Sequence, residues 1–134
     1  VKLTRGERQV TCERARFDGP DRSIVISGDT ARSDNLVRLA RGADVLVHEA
    51  MWLPAVDRIV ARDLNAPALK KHLLDSHTSA EDCGRVAQAA GVKMLVLSHL
   101  VPAGDGTISD DMWTAEVRKH FAGKVVVGKD LLEV

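Results

Sequence analysis

The stretch Ser-Ile-Val-Ile-Ser-Gly-Asp-Thr, residues 23–30, decides the fold of this chain. Its first part, Ser23–Ser27, has the β-branched character of a short buried strand, and a tight turn follows at once. Gly28 allows the backbone to bend sharply because it has no Cβ atom. The turn therefore brings the Asp29 carboxylate to the carboxyl end of the strand, where a metal ligand, a general base and a helix-capping residue are all reasonable interpretations.

A helix and a second strand are expected directly after this turn. The hydroxyls of Thr30 and Ser33 are expected to start the helix, whose apolar residues recur at i, i+3 and i+4 as far as Arg41. The next segment, Asp44–Val47, is apolar without polar alternation, as in a strand covered on both faces. Because strand, helix and strand follow one another, the sequence predicts a parallel crossover unit.

The rest of the chain continues this alternation. The spacing of Thr78 and Glu81 is that of a capping box, which predicts that a helix starts at Thr78. A turn signal at residues 19–22 favours a hairpin between a weaker strand candidate, Gln9–Phe17, and the strand at Ser23–Ser27. The other predicted elements are helices over 52–75 in two pieces, 78–90 and 110–121, and strands over 94–97 and 124–127.

Composition narrows the class of protein. The 134 residues suit a single domain, and 19 basic residues balance 19 acidic ones, so net charge favours neither nucleic acid nor a membrane as partner. Cys12 and Cys83 form no CxxC pair and are interpreted as free thiols of a reducing, cytoplasmic compartment, with one disulfide as the alternative. No signal peptide or membrane-span pattern is visible. The chain begins with Val1, so a fragment or a processed form is expected.

Three predicted strands end on polar side chains, namely Asp29, His48 and His99. The carboxyl ends of parallel strands meet at one edge of a sheet, so these groups are expected at a common rim, which His77 could also face. Imidazole and carboxylate ligands suit zinc, manganese or iron, and a metal pair bridged by a carboxylate activates water for hydrolysis of phosphate esters, sulfate esters, lactones or amides.

Plain structural interpretations of these histidines remain open. His48 beside Glu49 could make only a hydrogen bond at the end of a strand, and His77 could only precede a helix cap. His72 and His120 are assigned no function, because His72 lies on a predicted helix without a strand before it and His120 is next to the core residue Phe121.

Four segments together resemble the C-terminal half of metallo-β-lactamase-fold hydrolases, especially the branch with ribonuclease Z-like and arylsulfatase-like enzymes. They are SGDT at 27–30, DNLVRLARGADVLVHEA at 34–50, HTSAEDCGRVAQAAGVKMLVLSHL at 77–100 and VGKDL at 127–131. The resemblance covers residues 22–134. It implies an α/β chain that is the C-terminal half of an αββα sandwich, one sheet flanked by helices, with residues 1–134 as a single partial domain.

The resemblance also implies a site with two zinc ions. Asp29 matches the bridging aspartate and His99 the last histidine ligand of the family. His48 and Glu49 match a segment at the reaction centre, where the family's histidine is thought to assist proton transfer. His77, together with Thr30, is expected to contact substrate or to support the ligands.

The family's HxHxDH signature does not occur in this chain, and no histidine precedes His48. Asp29 and His99 then supply two ligands, whereas zinc sites use three or four. We therefore expect a metal-dependent hydrolase whose substrate is a small-molecule ester, with RNA as the alternative, and we expect this chain alone to be inactive. The alternative function is a truncated non-catalytic remnant, or a half-domain that needs a complementary N-terminal half or a second copy, with one sheet face left exposed. A nucleotide-binding module ranks last, because no glycine-rich phosphate loop is present.

Overall fold

The computed structural model describes residues 2–5, 8–11, 14–61 and 65–134, with side chains from residue 14 onward. Within these ranges the chain forms helices on one side of a mostly parallel sheet. In chain order the elements are β1 (Lys2–Arg5), β2 (Arg8–Thr11), β3 (Ala15–Asp18), β4 (Ser23–Ile26), α1 (Asp34–Ala40), β5 (Val45–Met51), α2 (Leu53–Val60), α3 (Ala66–Ser76), α4 (Ala80–Ala90), β6 (Met94–Val101), α5 (Asp110–Arg118) and β7 (Lys124–Val127).

The main sheet has the strand order β3-β4-β5-β6-β7, and β1 and β2 form a separate hairpin. β3 pairs antiparallel with β4, which confirms the hairpin expected across residues 19–22. The pairs β4–β5, β5–β6 and β6–β7 are parallel, as the crossover prediction requires. The predicted strand Gln9–Phe17 is wrong in extent, because β2 and β3 are separate strands.

Helices α1, α4 and α5 cover one face of the sheet. Their apolar residues, such as Leu36 and Val86, pack on strand residues such as Leu46 and Leu95 in one buried cluster. The predicted stripe along α4 is confirmed, since Ala80, Cys83, Val86, Ala87 and Ala90 are all buried. α4 and α5 approach so closely at Gly84 that a Cβ atom there would meet the backbone of Val117. We call this covered side of the sheet the helix face.

The opposite face of the sheet carries a smaller apolar cluster. Val45, Met94 and Val96 are buried on it, and Ile24, Val47 and Val126 are partly buried. The expectation that this sheet face is exposed is therefore wrong for Val45, Met94 and Val96. Parallel strands commonly have apolar side chains on both faces, which accounts for the near-continuous apolar runs of these strands.

The segment 52–75 forms two helices, as predicted, with a proline at the first turn of each. Met51, Val56 and Val60 form a cluster of their own with partly buried residues of α3. α3 buries none of its residues fully, so this pair of helices is an appendage beyond the strand ends.

Two predicted helix starts need correction. α4 is capped by Ser79, whose Oγ accepts from the Asp82 amide at 3.1 Å, whereas Thr78 is buried and bonds elsewhere. α1 follows Ser33 as its N-cap, yet no side-chain hydrogen bond caps it. Side-chain hydroxyls at such positions bond either to the helix or to another nearby polar group, and spacing alone does not distinguish the two.

β5 and β6 run past their predicted ends, so His48 and Glu49 lie within β5 and His99 lies within β6. Cys83 is free and buried, and Cys12 lies outside the described residues. A helix that could span a membrane is not found in the described ranges.

Candidate active site at the strand ends

Asp29 stands on the turn that follows β4. Gly28 has φ 60°, a left-handed conformation that favours glycine, and it turns the chain away from the sheet. The carboxylate of Asp29 is left more than half exposed. The amide of Ser27 continues the ladder by donating to the Val47 carbonyl at 2.9 Å, so the turn begins from a fixed strand end.

His99 reaches the same place through a bulge in β6. Glu49 pairs with Ser98 and Ala50 pairs with Leu100, so His99 is an extra residue without a partner in β5. Its φ of 42° is unusual for a non-glycine residue and turns the side chain out of the strand's regular alternation. The imidazole Nε2 lies 3.6 Å from Oδ2 of Asp29.

His77 and Glu49 complete a cluster at this rim. The rings of His77 and His99 are stacked with centroids 5.7 Å apart and planes inclined by 23°. His77 Nδ1 lies 3.1 Å from Oε2 of Glu49, and Oε1 of Glu49 accepts from the Thr78 amide at 2.5 Å. We call Asp29, Glu49, His77 and His99 the rim cluster.

Glu49 is the buried member of the rim cluster, with 3% of its surface exposed. Burial raises the pKa of its carboxyl to about 7. Hydrogen bonds from the backbone of Thr78 and Thr30 act in the opposite direction, because they favour the charged form. Thr30 is itself buried, and its carbonyl accepts from the Thr78 hydroxyl. The loop after β4 and the loop before α4 are thus tied together around the Glu49 carboxylate.

His48 lies apart from the rim cluster. Side chains alternate along β5, so His48 follows Leu46 on the helix face, whereas Glu49 follows Val47 on the other side. The His48 ring is fully buried, and its Nδ1 lies 2.7 Å from the Glu49 carbonyl oxygen, which can only accept. Burial lowers the pKa of His48 to about 4, which keeps the ring neutral.

The residues present do not form a metal site by themselves. In the ranges that the structure describes, no group of three or more His, Cys, Asp or Glu side chains could hold a metal ion. Asp29 and His99 offer two donors. A structural zinc site has four protein ligands, and a catalytic zinc site has three together with one open position. The donor types are right for zinc, but their number is too small.

Two concave surfaces flank the rim cluster. A polar groove of about 640 Å³ runs beside Asp29 and His77, and its lining also includes Arg14, Arg32 and His72. A second pocket of about 470 Å³ is lined by His99, by apolar residues such as Val96 and Leu132, and by the charged residues Lys129 and Asp130. A substrate at the rim could therefore extend into either concavity.

Arg14 is the residue near the site that the sequence did not point to. Its Nη2 donates to Oγ1 of Thr30 at 3.0 Å and its Nη1 to Oγ of Ser33 at 3.2 Å. The available signal was the hairpin itself, since antiparallel pairing across residues 19–22 places Arg14 beside the end of β4. The hydroxyls that were expected to start α1 are instead held by this guanidinium.

Known proteins resemble this chain both in sequence and in fold. It is 36% identical over 120 residues to ribonuclease Z of Mycobacterium tuberculosis, covering 89% of this chain and 41% of that protein. It is 37% identical over 131 residues to ribonuclease Z of Brevibacillus brevis, covering 89% of this chain and 37% of that protein. The chain thus spans about 40% of the length of these curated relatives. No protein-family model matches the chain.

Two solved structures share the architecture. The metallo-β-lactamase fold protein YhfI from Bacillus subtilis superposes with a TM-score of 0.65 at 23% identity, over 96% of this chain and 50% of that one. The short form of human tRNase Z gives a TM-score of 0.52 at 22% identity, over 87% of this chain and 34% of that one. The sequence similarity and the common architecture identify this chain as a ribonuclease Z-like protein of the metallo-β-lactamase fold.

Proposed function

We propose that this chain supplies one side of the active site of a metal-dependent phosphodiesterase that acts on RNA. The observation that carries the proposal is the rim cluster, in which an aspartate, a glutamate and two histidines from separate parts of the chain meet at the strand ends. This is the position at which α/β sheets bind their ligands.

Within this proposal Asp29 and His99 are metal ligands, and zinc is the expected metal. The remaining ligands come from a segment beyond these two residues, such as one that carries the HxHxDH signature, or from a partner chain. Since two donors are too few to hold the ion, we assign no step of the reaction to it.

The proton chemistry is assigned to Glu49 and His77. The Glu49 carboxyl, whose pKa is raised to about 7 by burial, shares a hydrogen bond with Nδ1 of His77, and this bond orients the ring. The pair would hold the proton that an alkoxide leaving group takes up, as general acid catalysis requires. His48 supports this pair through the backbone of Glu49, because its buried ring has no route to the substrate.

The substrate class follows from the relatives. Curated proteins similar to this chain include ribonuclease Z of two bacterial genera, and these names favour RNA over the small-molecule ester expected from the sequence. The polar groove beside Asp29 suits a polar chain better than an apolar ester.

A chimera tests the proposal. The matching region of M. tuberculosis ribonuclease Z is replaced by this chain and assayed with zinc on a transfer-RNA precursor and on bis(p-nitrophenyl) phosphate. We expect cleavage of the RNA precursor, and we expect Asp29→Ala and His99→Ala each to lower kcat/KM at least about a hundredfold, as loss of a catalytic metal ligand should. Asp34→Asn, an exposed carboxylate at the start of α1, is the matched control.

Two results would contradict the proposal. Activity that survives both Asp29→Ala and His99→Ala would remove the ligand assignment. A folded chimera without turnover would instead favour the alternative that this chain is a non-catalytic remnant. The small number of metal donors in the described residues also supports that alternative.

A further inference from the structure

Arg14 ties the start of β3 to the loop that carries Asp29. Its guanidinium donates through Nη2 to the Thr30 hydroxyl and through Nη1 to the Ser33 hydroxyl. The Thr30 hydroxyl in turn donates to the Ala31 carbonyl at 2.8 Å, so it accepts from Arg14 and donates at the same time. The loop is therefore held at two points, Thr30 and Ser33.

The register of the sheet brings Arg14 and His48 into one row. Ala15 pairs with Ile26, and Ile26 pairs with Val47. The adjacent row of the sheet therefore consists of Arg14, Ser27 and His48, whose side chains lie on the helix face. Arg14 thus lies across Ser27 from His48. The positive charge of Arg14 also contributes to the lowered pKa of His48, which indicates that the two groups are near one another.

Both groups keep one buried nitrogen without a partner. Nε of Arg14 and Nε2 of His48 are the buried side-chain nitrogen or oxygen atoms that lack a hydrogen bond in the described part of the chain. Nε of Arg14 carries a hydrogen and can only donate. Because Nδ1 of His48 donates to the Glu49 carbonyl, Nε2 of the neutral ring can only accept. The two atoms are complementary, and burying either alone is costly.

We propose that Arg14 is a positioning residue that fixes the Asp29 loop, and that its Nε–H group is bound to Nε2 of His48 through one buried water. A water between a donor and an acceptor is a common way to satisfy buried polar groups. The arrangement joins β3, the Asp29 loop and β5 on the helix face, directly behind the rim cluster. The proposal rests on the proposed function only for the role of Asp29.

The planar fork of the guanidinium is what this arrangement requires. A lysine at position 14 would keep the charge but could not donate in three fixed directions to Thr30, Ser33 and the water. Arg16 is the matched control, because it lies on the same face two residues further along. Its Nη1 donates to the carbonyls of Leu39 and Arg41 at the end of α1 and not to the Asp29 loop.

The experiment compares Arg14→Lys and Arg16→Lys in the full chain by nuclear magnetic resonance. We expect Arg14→Lys to speed hydrogen exchange of the Thr30 amide by about tenfold, because the loop opens more often. We also expect it to move the Nε2 resonance of His48, while Arg16→Lys does neither. Unchanged exchange at Thr30 and an unchanged Nε2 resonance in Arg14→Lys would overturn the proposal.

Two further measurements separate this proposal from the proposed function. If Arg14→Lys does not fold, Ser33→Ala removes one acceptor alone, and unchanged Thr30 exchange in that variant overturns the proposal. In the active chimera we expect Arg14→Lys to lower kcat about tenfold with KM unchanged, as displacement of a reacting group should. A chimera without turnover removes the proposed function, and the resonance data still decide the role of Arg14.

Discussion

His48 and Glu49 are neighbours in β5, but they belong to different regions of the molecule. His48 is enclosed on the helix face, where burial lowers its pKa to about 4. Glu49 lies at the rim on the other side of the strand, where burial raises its pKa to about 7. In both cases the neutral form is favoured, but only Glu49 touches side chains that could meet a substrate. One strand thus builds a core with one side and a site with the other.

The largest effect on stability is expected where two helices of the helix face, α4 and α5, meet. Gly84→Ala would place a Cβ atom against the Val117 backbone at the α4–α5 contact. We expect a loss of about 3 kcal/mol in the free energy of unfolding, measured with urea, since a close-packed backbone cannot move away cheaply. Gly106→Ala is the control, because nothing lies near its added Cβ atom. Equal stability of the two variants would contradict the close packing.

The opposite pKa shifts of the two neighbours predict opposite pH dependences. Below pH 6.5 the unfolded chain binds a proton at His48 that the folded protein does not, so this residue lowers stability as the pH falls towards 4. Between pH 4.5 and 7 the folded protein keeps a proton on Glu49 that the unfolded chain loses, so this residue lowers stability as the pH rises. The two effects largely cancel in the natural chain.

Single variants should reveal each effect. Between pH 4.5 and 6.5 we expect the stability of Glu49→Gln to increase with pH relative to the natural chain, and that of His48→Gln to decrease with pH. Each difference should be on the order of 2–3 kcal/mol across the window. Urea unfolding at the two pH values measures it, with Glu133→Gln as an exposed control. Parallel pH curves for all four proteins would show that neither group is buried as described.

The hydrogen bond between the Thr78 hydroxyl and the Thr30 carbonyl should have an intermediate effect on stability. Thr78→Val removes the hydroxyl that donates to the Thr30 carbonyl and leaves that buried oxygen without this donor. We expect a loss of about 1–2 kcal/mol in the free energy of unfolding. Thr107→Val, at an exposed loop position, should change stability by much less. If the two variants lose equally, the Thr78 bond does not hold the loops together.

The exposed members of the rim cluster, Asp29 and His99, should matter least for stability. Asp29 and His99 are both more than half exposed, and their side chains are 3.6 Å apart. We expect Asp29→Asn to change the free energy of unfolding by less than about 1 kcal/mol, as exposed ion pairs usually do. Thermal and urea unfolding check this. A loss as large as that of Thr78→Val would mean that the pair is structural.

The sequence predicted the parts of this arrangement that depend on periodicity. The strand at Ser23–Ser27, the parallel order and the buried stripe of α4 follow from apolar spacing, and Asp29 and His99 then come together because parallel strands end at one edge. The side of β5 on which His48 lies was not predictable, because the predicted strand ended before it. The Ser79 cap and the Arg14 contacts depend on which nearby donor a hydroxyl meets, and only the assembled chain determines that.

The bulge at His99 makes the length of β6 as important as its composition. The bulge absorbs the extra residue, so Ser98 still pairs with Glu49 and Leu100 with Ala50. Deleting His99 would leave these partners in a regular ladder and would remove only the imidazole that lies beside Asp29. Related proteins should therefore keep an extra residue at this point of the strand, because a regular strand would bring no side chain to Asp29 here.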